Sequence, residues 1–204
     1  MAGSCPGLSR LKQSGVGHAV AGLENWVMTP PATLFLIVGL PAAGKTTRAR
    51  ELEKAHRALR FSPDEWMIPL FGESEADGKR DLLEGLLINA GLCALAVGTN
   101  VVLDFGFWGR DERSALRSLG ASVGADVEVV YLRVEAVTQR RRVQERFGVR
   151  PGQTFPITDS DLAHWRAQFE EPTARELAGA PVPDRPADAS NWAEWGRRRW
   201  PTLR

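Results

Sequence analysis

"LFLIVGLPAAGKTTRAR", residues 34 to 50, runs an apolar stretch straight into a glycine-lysine-threonine turn and then becomes charged. Leu34 to Val38 has the length and unbroken apolar character of a strand buried on both faces, and a helix is predicted from about Lys45. Between them Gly39, Gly44, Lys45 and Thr46 satisfy G-x-x-x-x-G-K-[ST] in the strand–loop–helix context that the motif needs. A loop of this length wraps a phosphate in backbone N–H groups, and its glycines let the chain approach the oxygens with no Cβ in the way. The start of the helix adds its positive dipole end. Gly39, Leu40, Pro41, Ala42, Ala43, Gly44, Lys45, Thr46 and Thr47 are therefore the expected nucleotide-binding residues. Lys45 would reach the β- and γ-phosphates and Thr46 would hold Mg2+. The predicted ligand is a nucleoside triphosphate.

Outward from this loop, strand-length apolar runs alternate with helical patterns. A strand over Ala58 to Ser62 is followed by a helix presenting Leu82, Leu83, Leu86, Leu87, Ala90, Ala94 and Val97 on one broad face, stopped by Gly98. Next come a strand over Val101 to Phe105, a helix over Asp111 to Leu119, a strand over Val127 to Val134 and an arginine-rich helix over Ala136 to Phe147. The alternation predicts an α/β fold, a three-layer sandwich with a parallel sheet and helices on both faces. After the loop "GVRPGQTFPITDSD", a helix capped at Thr158 or Asp159 runs through His164, Trp165 and Phe169. No fifth strand is evident beyond it.

Three parts are expected: a leader over 1–31, rich in Gly and Ser with at most one short helix around Val20 to Trp26; a domain built on the phosphate loop over 32–176; and a tail over 177–204 rich in Pro and Ala and ending in Trp and Arg. Trp192, Trp195 and Trp200 with the terminal arginines are expected to pack on the domain or to mediate self-association, with a partner or nucleic acid as the other readings.

Composition narrows the function. With 43% apolar residues in 204 the chain can bury a real core, and a formal net charge of +1 gives no bulk support to nucleic-acid or membrane-surface binding. The two cysteines, Cys5 in the leader and Cys93 expected in the core, form neither a disulfide framework nor a metal spacing. No stretch approaches the roughly 20 apolar residues of a membrane span, and the N-terminus makes a poor secretory segment. The expectation is a cytoplasmic protein with no membrane partner; its oligomeric state carries no sequence signal.

Two acids follow the next strands: Asp64 in "RFSPDEW" and Asp104 in "VVLDFGFWGRDER". Ligands of parallel sheets bind beyond the carboxyl ends of the strands, so both acids should face the crevice of the phosphate loop. A hydroxyl acceptor needs a base for its proton, and Asp64 is the candidate; the alternative is a helix N-cap. Asp104 has the place of the acid that orients Mg2+ or its water, or else caps a turn. Arg142 and Arg146, spaced i, i+4, share one helix face from which an adenylate-kinase-like lid over about 136–170 would grip the triphosphate. Acceptor-side candidates are Asp64, Trp66, Asp104, Phe107, Trp108, Arg110 and Arg113, with core packing the alternative for the aromatic residues.

"GLPAAGKTT", "RFSPDEW", "VVLDFGFWGRDER" and "RRRVQERF", with "GQTFPIT" and "FEEPT" beyond, resemble the AAA-domain-like P-loop kinases: 5′-hydroxyl polynucleotide kinases, zeta-toxin kinases and antibiotic phosphotransferases. The resemblance covers about residues 33–175. It implies ATP as donor and Asp64 as the group that activates the acceptor hydroxyl. Polynucleotide kinases of this kind commonly read "RDD" followed by a phosphate-holding arginine, where this chain has "SPDEWMIP"; a frequent "D-T-N" at the third strand is here Asp104-Phe105-Gly106. These departures turn the expectation from a nucleic-acid end toward a small organic alcohol, an antibiotic or a nucleotide sugar among them. A polynucleotide kinase and a nucleotide-hydrolysing switch are the alternatives. A basic track through Arg110, Arg113 and Arg197 to Arg199 would mark the former.

Overall fold

The computed structural model describes residues 30–72, 76–149 and 157–204, the side chains of 146–149 excepted. The expected leader and its short helix, and most of the Gly/Pro loop after Phe147, lie outside the described residues. Pro31–Arg204 forms one compact unit.

Four parallel strands make the sheet: β1 (Thr33–Val38), β2 (Leu59–Phe61), β3 (Val101–Gly106) and β4 (Asp126–Tyr131), in the order β2-β3-β1-β4. β1 is central, which is why it reads as a continuous apolar run. Its alternate residues supply two cores. Leu34, Leu36 and Val38 join Val101, Leu103 and Leu116 on one face, while Phe35 and Ile37 join Ala49 and Leu52 on the other. The first core is closed by α3 (Lys79–Ala96), α4 (Arg110–Ser122) and α8 (Trp192–Arg199), the second by α1 (Lys45–His56). The structure is thus the expected three-layer α/β sandwich. Between β2 and α3 lies α2 (Pro63–Phe71); α5 (Ala136–Val149), α6 (Asp159–Gln168) and α7 (Ala174–Leu177) follow β4.

Helix α6 starts as its sequence predicts, with the Thr158 side chain accepting from the Asp161 N–H and Asp161 accepting from the Thr158 N–H. Helix α3 does not bury the expected face. Leu82, Leu86 and Val97 are exposed, and the inward side carries Leu83, Glu84, Gly85, Leu87, Ile88, Gly91 and Leu95. The rotation follows from close packing at two glycines. A Cβ at Gly91 would lie 3.3 Å from Val101 of β3, and one at Gly85 would lie 3.0 Å from the Leu203 nitrogen and 3.2 Å from the Trp200 Cβ. Cys93 is exposed rather than in the core, because it shares the outward side of the same helix.

Nor is the segment after residue 176 a separate tail. Trp192, Trp200 and Leu203 belong to the main core, and Trp195 packs edge-on against both Trp192 and Trp200. Asn89 Nδ2 donates to the Thr202 carbonyl at 2.7 Å, and its Oδ1 accepts from the Arg204 N–H at 3.0 Å. The end of the chain is thereby clamped along α3. No helix among the described residues is long and apolar enough to cross a membrane.

Candidate functional site

The turn from β1 into α1 is shaped by backbone that favours glycine. Gly39 has φ 150° and Gly44 φ 97°, and Ala42 takes φ 62°. A Cβ at Gly39 would stand 2.7 Å from the Leu132 carbonyl oxygen, so β4 and the loop approach as closely as they do only with glycine there. The Gly39 N–H donates to the Gly106 carbonyl at 3.1 Å, tying the loop to the end of β3. Lys45 Nζ donates to the Leu40 carbonyl at 3.1 Å, folded across the loop. Gly106, at φ 102°, would carry a Cβ 3.4 Å from Lys45 Cε, so its bare backbone gives that lysine room. Thr46 and Thr47 are exposed in the first turn of α1.

Asp104 sits inside β3 beside this turn with its side chain only 2% exposed. Burial pushes its carboxyl above the ordinary aspartate range, opposed by the nearby Lys45 and Arg60 charges and by a hydrogen bond with Thr46. Arg60 Nη1 meets Asp104 Oδ2 at 3.1 Å. Its Nη2 meets Glu65 Oε1 at 2.5 Å, which draws Glu65 below the usual carboxylate range; Nε reaches Glu53 at 3.4 Å as an ion contact without hydrogen-bond geometry. Arg60 is a functional candidate that sequence reading missed. Its position, one strand over from Asp104 and paired in register to Val102, was the available signal.

Asp64 lies in the first turn of α2, whose N-cap is Ser62, so the capping alternative for Asp64 does not hold. Its carboxylate is 72% exposed and meets Arg80 Nη2 at 2.9 Å. Asp64 follows the carboxyl end of β2 and Asp104 lies in the second half of β3, and the Asp64 charge is among the influences that raise the Asp104 carboxyl. Trp66 is exposed on α2, with Lys79 stacked over the nearby Phe71 ring at 5.3 Å.

Helix α5 packs against the loop from the other side. Gln139 of α5, fully buried, donates from Nε2 to the Pro41 carbonyl at 3.0 Å, and Arg142 Nη1 donates to the Ala42 carbonyl at 3.1 Å. Arg140 ties α5 to α6 through Asp159 at 2.6 Å. Arg146 falls in α5, with its side chain outside the described residues. A cavity of about 150 Å³ opens beside Leu40 between Tyr131, Val134, Arg166 and Phe169.

Three of the expected acceptor residues are committed elsewhere. Arg113 is buried: its Nε and Nη2 pair with Glu176 at 2.6 and 3.3 Å, and Nη1 donates to the carbonyls of Phe107 and Trp108 at 3.2 and 3.1 Å. It buttresses the turn after β3, where Phe107 takes φ 32°, and is not placed to grip an acceptor. Phe107 itself is core, stacked on Phe105 at 5.0 Å between centroids. Trp108 is half-buried against Trp165 at 6.1 Å, leaving only part of its ring for a ligand. Arg110 is exposed, and its backbone N–H donates to Glu170 at 2.5 Å. The basic track is depleted: Arg199 is held by Asp81 and Glu112 at 2.5 and 2.7 Å, and Arg198 by Glu194 and Asp188, while Arg110 and Arg197 are exposed.

The donor set suits Mg2+ held mainly by a nucleotide's phosphates. Thr46 and Asp104 offer two neighbouring oxygens, and no cluster of three or more His, Cys, Asp or Glu able to cage a metal occurs among the described residues.

A family model described as an AAA domain matches residues 34–172. Among solved structures, the chain is similar to Chaetomium thermophilum Kti12 in complex with ADP-AlF3, at 20% identity and TM-score 0.57 over 84% of this chain and 99% of that one. It is also similar to the Mycobacterium tuberculosis APS kinase CysC in complex with AMPPNP and APS, at 18% identity and TM-score 0.54 over 83% and 95%. A chain of the Pnkp1/Rnl/Hen1 RNA repair complex matches at 19% identity and TM-score 0.51 over 77% of this chain and 50% of its own. No curated protein matches the sequence. The family model runs from β1 through the phosphate loop, both acids and α6, and the chain belongs to the AAA-domain family with the P-loop fold that kinases share.

Proposed function

We propose that the protein is a Mg2+- and ATP-dependent kinase that moves the γ-phosphate of ATP to a hydroxyl of a small organic molecule, working in the cytoplasm. The observation that carries the reading is the pair of acids within β3 and just after β2: Asp104 buried against Thr46 and Arg60, and Asp64 exposed in the first turn of α2. A pure nucleotide sensor needs the first acid and has no use for the second.

The loop from Gly39 to Thr47 would hold the phosphates by its backbone N–H groups, with Lys45 turned from the Leu40 carbonyl onto the β- and γ-oxygens. Thr46 and Asp104 would hold Mg2+ and its water, which supplies charge neutralisation to the transferring group. Arg142, already against the loop at Ala42, and Arg146 one turn on would place positive charge over the γ-phosphate from the lid. Asp64 takes the proton as the acceptor oxygen bonds to phosphorus and the bond to the ADP oxygen breaks.

A small acceptor is supported over an oligonucleotide end because three of the five arginines of such a track, Arg113, Arg198 and Arg199, are engaged in ion pairs within the protein. Trp66 and the open part of Trp108 offer apolar walls for an organic face. The test is γ-phosphate transfer from radiolabelled ATP with Mg2+ to a panel of nucleosides, nucleotide sugars, aminoglycosides, other antibiotics and 5′-hydroxyl oligonucleotides. A labelled small molecule is expected, and labelled oligonucleotide alone would overturn the acceptor class.

A further inference from the structure

The exposed Asp64 carboxylate has its orientation set from behind. Its Oδ1 meets Arg80 Nη2 at 2.9 Å, and Arg80 Nε donates to Glu84 Oε1 at 3.1 Å, one turn further along α3. Glu84 is 8% exposed, and its other oxygen, Oε2, accepts from the Trp200 indole N–H at 3.0 Å. Trp200 is fully buried. Its neighbour Arg199 lies 3.9 Å from the same Glu84 oxygen while bound to Asp81 and Glu112. A continuous line of charge-assisted hydrogen bonds therefore runs from the C-terminal segment to the exposed Asp64 carboxylate.

The chemistry of the guanidinium gives this line a direction. Nε and both Nη atoms share one rigid plane, so committing Nε–H to a buried carboxylate fixes where Nη2 points. Glu84 is itself pinned because a buried carboxylate must satisfy its lone pairs, and Trp200 supplies a donor that cannot rotate away. Asp64, by contrast, is open to solvent on most sides, and no other hydrogen bond to its carboxylate is recorded among the described residues.

We propose that Arg80 is a positioning residue for the acceptor base, and that Glu84 and Trp200 set it, so that the C-terminal segment forms the back wall of the phosphoryl-acceptor site. Arg80 engages Asp64 Oδ1 and leaves Oδ2 to take the hydroxyl proton. The proposal rests on the reading of Asp64 as that base.

The test uses the full chain with Trp200→Phe, which keeps the ring in the core and removes only the N–H, together with Glu84→Gln, Arg80→Lys and Arg80→Met. In the first arm, the Arg80 Nε–Hε signal is followed by 15N NMR without any acceptor. It should be protected from exchange in the parent and lose that protection in Glu84→Gln, and lose part of it in Trp200→Phe. In the second arm, kcat for transfer should fall about tenfold in Arg80→Met, with KM for ATP unchanged and partial recovery in Arg80→Lys. Trp200→Phe should lower kcat in the same direction.

An Arg80 signal unmoved by Glu84→Gln and Trp200→Phe, or variants whose melting temperature falls while kcat per folded molecule stays at the parent value, would overturn the proposal. Asp64→Asn separates the two readings. Full transfer by Asp64→Asn overturns the base itself, whereas loss in Asp64→Asn with none in Arg80→Met overturns only the positioning role.

Discussion

Replacing Arg113 by Met should destabilise the protein strongly while leaving nucleotide binding intact. The arginine side chain is 1% exposed and its partner Glu176 8% exposed, so the change strands a carboxylate in the interior and removes the donor to the Phe107 and Trp108 carbonyls. Breaking a buried pair from one side costs about 3–5 kcal/mol. For a domain of this size each kcal/mol moves the midpoint by about 2–4 °C, which gives a fall of about 6–20 °C. The double variant Arg113→Met/Glu176→Gln relieves the stranded charge and should recover about 1–3 kcal/mol of the loss, leaving about 2 kcal/mol for the two unpaired carbonyls. Calorimetric melts of the parent, the single variants and the double variant, with the Kd of a fluorescent ATP analogue measured on each, make the comparison. An Arg113→Met protein that melts within about 2 °C of the parent would refute the reasoning. If it also raised the acceptor KM, Arg113 would return to the acceptor site that its sequence context first suggested.

Gly106→Ala should weaken ATP binding more than it lowers the melting temperature, because the added methyl meets Lys45 at 3.4 Å and φ 102° disfavours it; equilibrium binding with Mg2+-ATP reads the effect. Lys45→Ala should abolish phosphoryl transfer with an unchanged circular-dichroism spectrum. The Glu194 carboxyl, held to about 2 by the Ser190 hydroxyl and N–H and by Arg198, contributes stability that is complete above its ordinary value of 4.5 and is lost as pH falls toward about 2. A 13C carboxyl titration should show this depressed value, and Ser190→Ala should move it up toward 4.5.

The parts of the fold that were legible are those where local pattern and tertiary role coincide. The run Leu34–Val38 reads as a central strand because both of its faces are covered, and the phosphate loop reads from spacing because backbone geometry demands its glycines. The α3 face was misread for a physical reason. A leucine-rich helix offers two apolar stripes, and the true contact is made at Gly85 and Gly91, which carry no hydrophobic signal, and at Glu84, which reads as surface.

Long-range pairing hid the rest. Arg113 looks like a free cation until Glu176 arrives from 63 residues away, and Arg80 looks like an ordinary helix arginine until α2 brings Asp64 against it. The Trp- and Arg-rich end is ambiguous by composition, and only its contacts with α3 and α4 show that it completes the core. The positions of Asp64 just after β2 and Asp104 in the second half of β3, in contrast, follow from the strand pattern alone.

The most direct test of the central claim is transfer of label from γ-labelled ATP to a small-molecule hydroxyl by the parent and by Asp64→Asn, each with its Kd for ATP measured. Labelled product from the parent, absent with Asp64→Asn at unchanged ATP affinity, is the predicted result. Release of phosphate to water at the same rate with and without every acceptor, and equally in Asp64→Asn, would contradict the kinase reading and leave a nucleotide-hydrolysing switch in its place.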